Sequence, residues 1–463
     1  MIAKSEILEM ASKLGLGPDT IEKDYVLGWL LHGIHQETVL ASWLFKGGTS
    51  LKKCFFETFR FSEDLDFTLK ERAHLTEDFL VKIFGTICDR VYEETGIEFQ
   101  KDQIKFKIID KGNGDYSSQG KIQYNGPLRR KQGFASIKLD LTSDEIIVLQ
   151  AEERRVHHPY SDEPGNGIFS RCYSFEEVVA EKIRALGQRA RPRDLYDVVH
   201  FFRNRNLITN PQLVYNTLIK KCEFKKIDVP TYDSVNDHEK IDELEPQWSN
   251  MLAHQLPSLP PLESFWEDLA PFFDWLHGSL NEERLVAQKM EEETPLSFGR
   301  ISYGCIDGHI HKIQFSAASR VCIKMMYHNK NRTIEPISFR RARNGNRIFY
   351  GFERESEKIK AFSISEIHSV EITSLPYHEK YPVEISASGA VSMPPIRREK
   401  ASSSSFRSPK VRRPTSSSLK YKFRCPTCGR LFSKQSYDSN LGEHKNKDGY
   451  RCYGRSGIFE SHG

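Results

Sequence analysis

Across residues 43–69 the chain passes from an apolar run to a Gly47-Gly48 turn, a short amphipathic segment opened by Thr49 or Ser50, and a second apolar run carrying Asp64 and Asp66. That order predicts strand, turn, helix, strand. Side chains alternate along the last strand, so Leu65, Phe67 and Leu69 enter the core while Asp64 and Asp66 share the other face. Upstream, Ile7, Leu8, Ala11 and Leu14 recur at helical spacing, Gly15 and Gly17 punctuate, and Pro18 with Asp19 restarts a helix through Trp29 and Leu30. Downstream, Phe79, Ile83 and Ile87 mark one face of a helix over 75–95. Alternation near Ile104-Phe106-Ile108, at Lys121 to Gln123 and over 135–141 predicts strands. In the last of these, Ile137, Leu139 and Leu141 face one way and Lys138, Asp140 and Thr142 the other, so Asp140 offers a third strand carboxylate.

Residues 174–203 predict two helices. Ser174 and Glu177 have capping-box spacing, and Phe175, Val178, Val179, Ile183 and Leu186 form a buried stripe. Pro192 suits the first turn of the next helix, whose apolar positions are Leu195, Val198, Val199 and Phe202. Glu181, Lys182, Arg189, Arg193, Asp194 and Asp197 are left on faces directed away from that core. Residues 210–293 read as helical and irregular, with a Pro-rich break at 257–261. From 298 to 375 the pattern becomes strand-like: Val321, Ile323, Met325 and Tyr327 alternate, residues 334–340 form another strand, and Arg343-Asn344-Gly345-Asn346 signals a hairpin. Arg332, Arg340, Arg341 and Arg347 are candidates there for anion contacts. Residues 381–420 are rich in Ser, Pro and Arg, as a flexible basic linker would be.

With 463 residues the chain has room for two to four domains. Basic residues exceed acidic ones by only four overall, yet no acidic residue occurs between Lys400 and Tyr437. That asymmetry points to a polyanion partner for the C-terminal end. No membrane span is expected, and the scattered single cysteines indicate a reduced, cytoplasmic protein. Cys425, Cys428 and Cys452 instead cluster, and Cys425-Pro426-Thr427-Cys428-Gly429 is the turn that aims two thiolates at one Zn2+, with His444 and Cys452 the nearest candidates to complete four ligands.

A Gly-Gly pair alone is usually only a turn, and an Asp-x-Asp often only a solvated strand face. Together, in this order, they resemble the first motif of polymerase-β-like nucleotidyltransferases. Glu22-Lys23-Asp24-Tyr25 and the run from Phe61 to Phe67 are similar to the AbiEii/AbiGii-type toxin branch, and the pattern E-x-x-x-E-K-x-x-A-L-x-x-R-x-x-x-R-D-x-Y-D resembles its later motifs. The resemblance implies an α+β fold: a nucleotidyltransferase-like domain over 1–205 and a helical extension over 206–293. It also implies a nucleoside triphosphate donor, Mg2+ on Asp64, Asp66 and Asp140, and phosphate contacts from Gly47, Gly48 and Thr49. Lys182 and Asp197 would complete the chemistry, with Asp194 a close competitor. An acceptor RNA, in some members a tRNA end, and an antitoxin partner are implied too. Residues 298–380 resemble the WYL domain, a small Sm-like β fold, through Tyr327, Ile334-Glu335-Pro336 and Phe362-Ser363-Ile364, although no W-Y-L triplet is present. A basic linker over 381–420 and a zinc-finger-like module over 421–463 close the chain. The competing expectation is a nucleic-acid-binding regulator of the WYL type carrying an inactive nucleotidyltransferase scaffold.

Overall fold

The computed structural model describes residues 1–57, 59–112, 116–130, 133–280, 294–295, 308–342, 345–385, 421–434, 438–447, 449 and 451–462. The chain divides into two compact units, Met1–Pro395 and Ile396–Gly463.

The first unit opens with helices α1 (Lys4–Leu14) and α2 (Pro18–Gln36), the first closed by Gly15 at φ 68°. Strand β1 (Leu44–Lys46) leads directly into the short helix α3 (Gly47–Ser50) and a π-helical turn over Leu51–Phe55, and β2 (Asp64–Thr68) returns beside β1. After α4 (Glu77–Thr95) come β3 (Glu98–Phe99), β4 (Lys105–Asp110), β5 (Tyr116–Asn125), β6 (Ala135–Thr142), β7 (Glu152–Val156) and β8 (Ile168–Cys172). These strands form one mixed sheet in the order β3-β5-β6-β2-β1-β8-β7, with β4 pairing β5. The predicted alternation holds: Leu65, Phe67, Ile137, Leu139 and Leu141 are all buried, in one core with α2 and α4.

A second core gathers α5 (Phe175–Arg189), α6 (Pro192–Arg203), α7 (Pro211–Lys225), α8 (Tyr232–Asn236), α9 (Leu244–Leu252), α10 (Leu262–Trp266) and α11 (Leu269–Leu276). The capping box expected at α5 is only half formed. Ser174 Oγ accepts the Glu177 N–H at 3.4 Å, but the Glu177 carboxylate does not return to Ser174. It accepts the N–H groups of Val148 and Leu149 at 2.9 and 2.8 Å and pairs with Lys221 at 3.0 Å. The loop after β6 presents two part-buried donors, and the fully buried Glu177 carboxylate is satisfied by them and by Lys221 rather than by the helix cap.

Residues 298–375 contain a helix that their pattern hides. After β9 (Thr294–Pro295), α12 (Gly308–Ser319) precedes β10 (Val321–Tyr327), β11 (Lys330–Arg341), β12 (Arg347–Glu353), β13 (Lys358–Ser363) and β14 (Ile367–Pro376). Apolar side chains of α12 serve two cores, Ile310, Ile313 and Ala317 toward the strands and Phe315 and Ala318 toward the α5–α11 layer, so no single apolar stripe is visible. The sheet order is β13-β12-β11-β10-β14, an antiparallel meander whose last strand returns to pair the first. The predicted hairpin closes with Gly345 at φ 87° and the Ala342 N–H donating to Asn346 O at 2.9 Å; Arg343 and Asn344 lie outside the described residues. Arg332 and Arg340, candidates for anion contacts, are instead paired internally with Glu353 and Glu384.

Arg203, at the end of α6, joins the layers. Its guanidinium holds Asp268, the Ser319 carbonyl and the Ser264 carbonyl, each at 2.7 Å, and Arg320 donates back to Arg203 O at 2.9 Å.

The second unit is built from β15 (Tyr421–Arg424), β16 (Leu431–Lys434), β17 (His444–Lys445), β18 (Arg451–Cys452) and β19 (Ile458–His462), as a three-stranded sheet β16-β15-β19 and the pair β17-β18. Nearly all of the expected linker, residues 386–420, falls outside the described residues.

Replacing Arg203 by Met should strand two buried carbonyls and one carboxylate, at a cost of about 2–4 kcal/mol. A lower denaturation midpoint for the first unit, with unchanged zinc content of the chain, is the expected measurement.

Candidate active site and metal cluster

Sheet register sets three carboxylates side by side. Asp66 lies opposite Lys46 on antiparallel β1 and opposite Asp140 on parallel β6, and Asp64 lies two residues away on the same face of β2. All three are half-buried, and none is engaged by a side-chain hydrogen bond or ion pair from the described residues. Burial pushes the Asp66 carboxyl up to about 6 against the pull of Lys46, with the charges of Asp140 and Asp64 pushing the same way. Burial likewise raises Asp64, opposed by Lys138 and reinforced by Asp140. Hard oxygen donors that repel one another, with no protein cation bonded to them, are a donor set that suits a divalent metal such as Mg2+. The face is open rather than a closed cage. Among the described residues, the one group of His, Cys, Asp or Glu whose ligand atoms all fall within 4.8 Å of one another lies elsewhere, at Cys425.

The glycine pair is demanded by this face. Gly47 has φ 79°, and a Cβ there would stand 2.1 Å from Asp66 Oδ2; a Cβ on Gly48 would stand 2.8 Å from Arg60 Nη2. Any larger residue would collide with a carboxylate on one side or a guanidinium on the other. The first N–H groups of α3 have no partner within the helix and are suited to an anion. The Thr49 hydroxyl, expected at the phosphate, is instead directed to the Asp64 carbonyl, fastening the turn to β2, and Ser50 Oγ donates to Gly47 O at 2.9 Å.

The charged positions of α5 and α6 are not a solvated face. Asp194 and Asp197 are completely buried and Lys182 nearly so. Asp197 accepts both Arg60 Nε and Nη2, at 2.7 and 2.8 Å, and pairs with Lys182 Nζ at 2.7 Å. Asp194 accepts Arg189 at 2.6 and 2.9 Å and sits 3.7 Å from Lys182. Burial would raise the Asp197 carboxyl, but Arg60 and Lys182 outweigh it and hold it below the usual range. A carboxylate so stabilised is a poor proton acceptor, and its ion pair fixes where the Lys182 ammonium stands.

Arg60 escaped the sequence reading, and the available signal was an arginine enclosed by Phe59 and Phe61 in an apolar stretch. Lys46 was missed as well: it faces Asp66 across the strands and pairs with Glu145, which also receives Tyr173 OH at 2.9 Å and Thr68 Oγ1 at 3.0 Å.

In the second unit Cys425, Cys428, His444 and Cys452 converge as expected. Cys428 Sγ is 3.4 Å from His444 Nε2, and Cys425 Sγ is 3.8 Å from Cys452 Sγ. The knuckle is held by the Gly429 N–H on Cys425 O at 2.8 Å, with Gly429 at φ 70°. His444 Nδ1 meets the Gly442 carbonyl at 2.9 Å, which leaves Nε2 for a metal. Against burial, the N–H groups of Cys428 and Thr427 and the His444 ring bring the Cys425 thiol down to about 6. Three thiols and one imidazole at these separations suit a structural Zn2+.

Residues 29–277, more than half of the chain, match the family described as nucleotidyl transferase AbiEii toxin, type IV TA system. The chain belongs to this family. It is a nucleotidyltransferase-family toxin, and the matched AbiEii region contains the aspartate triad, the glycine pair, Lys182 and Asp197. No curated protein matches the chain. Among solved structures it is similar to MenT4, a nucleotidyltransferase toxin from Mycobacterium tuberculosis H37Rv, with 18% identity over 60% of this chain and 90% of that one and a TM-score of 0.42. It is also similar to JHP933 from Helicobacter pylori, with 16% identity over 57% of this chain and 94% of that one and a TM-score of 0.38. No helix among the described residues of this AbiEii-family chain is long and apolar enough to cross a membrane.

Two outcomes are expected. Because the folded Asp66 carboxyl titrates near 6 rather than 3.8, its favourable contribution is complete below about pH 4 and is lost as pH rises through about 6. In EDTA, Asp66→Asn should therefore stabilise the protein relative to wild type at pH 8, by on the order of 1–3 kcal/mol, and by only about a third of that at pH 4.5. Thermal unfolding of both proteins at the two pH values reads this directly. Elemental analysis should find about one zinc per chain, lost in Cys425→Ser while the unfolding transition of the first unit is retained.

Proposed function

We propose that this AbiEii-family toxin transfers a nucleoside monophosphate from a nucleoside triphosphate to an RNA acceptor, with a tRNA end as the first candidate. The observation that carries the proposal is the open triad Asp64, Asp66 and Asp140 on one sheet face, bordered by the Gly47-Gly48 turn whose shape those carboxylates require. A divalent cation bound there would neutralise triphosphate charge and favour the deprotonated form of the attacking hydroxyl. The N–H groups at the start of α3 hold the terminal phosphates. Lys182, fixed by Asp197 at 2.7 Å, meets the charge that develops on the leaving pyrophosphate. Asp194 keeps Arg189 in place and contributes to the field around Lys182.

The helix and five-strand meander over 308–376 supports a WYL-like sensing module appended to the enzyme. A type IV toxin would be held in check by an antitoxin partner, which the chain's family membership makes the natural regulator. A regulator built on an inactive scaffold is disfavoured, because mutually repelling carboxylates with no bound cation lower stability and persist only where they serve a purpose.

The test is incubation of the purified chain with each labelled nucleoside triphosphate, Mg2+ and total RNA. Label should enter RNA with one preferred nucleotide. Asp64→Ala and Asp66→Ala should lower the rate about a thousandfold, equivalent to several kcal/mol, without lowering the unfolding midpoint. Wild-type transfer in either variant would remove the metal-site proposal.

A further inference from the structure

In the C-terminal unit, the two faces of the β16-β15-β19 sheet differ. Phe432, Phe423 and Phe459 make one cross-strand row, and it packs with Cys425, Cys452 and Leu441 around the metal cluster. The adjacent row is Leu431, Arg424 and Ile458, which alternation along the strands turns to the opposite face. Leu431 is 47% exposed and Ile458 64%. Lys422 continues this face between Ser433 and Ser461. Arg424 is held flat across it by Glu460 at 2.7 Å and the Gly429 carbonyl at 2.9 Å. In the same unit Tyr453 is 78% exposed, between Arg451 and Arg455 in sequence.

Single exposed apolar residues are ordinary, but a small unit that aligns two aliphatic side chains beside an arginine and also exposes a tyrosine so fully has a surface suited to a partner. Charge decides which partner. From Tyr421 to Gly463 there are eight Lys and Arg against four Asp and Glu, and the acid-free stretch from Lys400 to Tyr437 runs into the same sheet. A polyanion complements that balance. Among polyanions, a duplex keeps its base faces stacked inside, whereas a single strand offers them to aromatic and aliphatic side chains while its phosphates meet Lys and Arg.

We propose that the open face of β15, β16 and β19, together with Tyr453, binds single-stranded RNA. The surface is independent of the transfer chemistry; the choice of RNA over DNA rests on the acceptor proposed above. Bases lie on Tyr453, Leu431 and Ile458, and Lys422 meets the backbone.

Fluorescence anisotropy with the full zinc-loaded chain and a labelled 20-nucleotide single-stranded RNA of mixed sequence tests this, with matched single-stranded DNA and duplex RNA as competitors. The Asp66→Asn background keeps the catalytic centre out of the readout. Tyr453→Ala should weaken binding about tenfold, the Leu431→Ser/Ile458→Ser double variant comparably, and Lys422→Glu should weaken it while flattening the salt dependence by about one ion. Each variant should retain its zinc, since no altered side chain is one of the four ligands and none belongs to the buried cluster around them. Unchanged affinity in the zinc-retaining variants, or equal competition by duplex RNA, overturns the proposal. Equal competition by single-stranded DNA overturns its choice of RNA. Transfer assays on Asp64→Ala report on the catalytic reading alone, so the two can fail separately.

Discussion

The Asp197 carboxylate, completely buried, is the constraint on which the catalytic unit depends. A lone carboxylate in that position would be untenable, and it is stabilised by two cations from separate parts of the chain. Arg60 comes from the segment between the π-helical turn and β2, and Lys182 from α5. Arg60 has a second anchor, Gln255 at 3.0 Å, and the Phe61 N–H donates to the Gln255 carbonyl at 2.9 Å. One ionic knot thus fixes α5, α6, the approach to β2 and the segment after α9. The glycine turn rests on it, because Gly48 lies against the Arg60 guanidinium. Removing Asp197 would leave the Arg60 guanidinium buried without its carboxylate, directly against the glycine turn.

Next to this satisfied network lies an unsatisfied one. Asp64, Asp66 and Asp140 share a face with no bonded cation, and burial together with mutual repulsion raises the first two. The contrast is chemical: Asp197 is neutralised by Arg60 and Lys182, whereas no side-chain cation among the described residues is bonded to the triad. Lys46 is near enough to pull Asp66 down but is itself engaged by Glu145, whose carboxyl it helps to hold near 2 against the effect of burial. The site therefore carries a standing electrostatic cost that the surrounding hydrophobic sheet is rigid enough to bear.

Local periodicity revealed the parts of this arrangement that are local. The alternation in β2 and β6 placed Asp64, Asp66 and Asp140, and the Cys-x-x-C spacing with His444 and Cys452 gave the metal cluster. What the sequence hid depends on partners far along the chain. Arg60 and Asp197 are 137 residues apart, and nothing within a helical turn of either announces the pair. Periodicity alone put Lys182, Asp194 and Asp197 on faces away from the apolar stripe, and only the resemblance singled them out; their burial comes from the polar side being covered as well. Glu177 left its expected cap for the same reason, drawn to donors in a loop nearly thirty residues earlier. Helix α12 was obscured because it is apolar toward two cores at once.

Helix α6 explains why the catalytic region and the five-stranded sheet form one unit although their sequences read as separate domains. Its beginning carries Asp194 and Asp197, and its last residue, Arg203, bonds the end of α12, from which β10 starts. Arg320 donates to the Arg203 carbonyl, and its guanidinium is completed by Glu379 just beyond β14. Peeling the sheet away would expose buried guanidinium groups and carbonyls together, a penalty of the same kind that holds Asp197 in place. The metal-bearing unit faces the opposite problem. Its core amounts to Phe423, Leu441 and two cysteines with a few partly buried neighbours, too little apolar surface for so short a segment to fold unaided. Four converging ligands supply the missing free energy without needing any neighbouring layer, and that is why this unit can be compact on its own while the five-stranded sheet cannot.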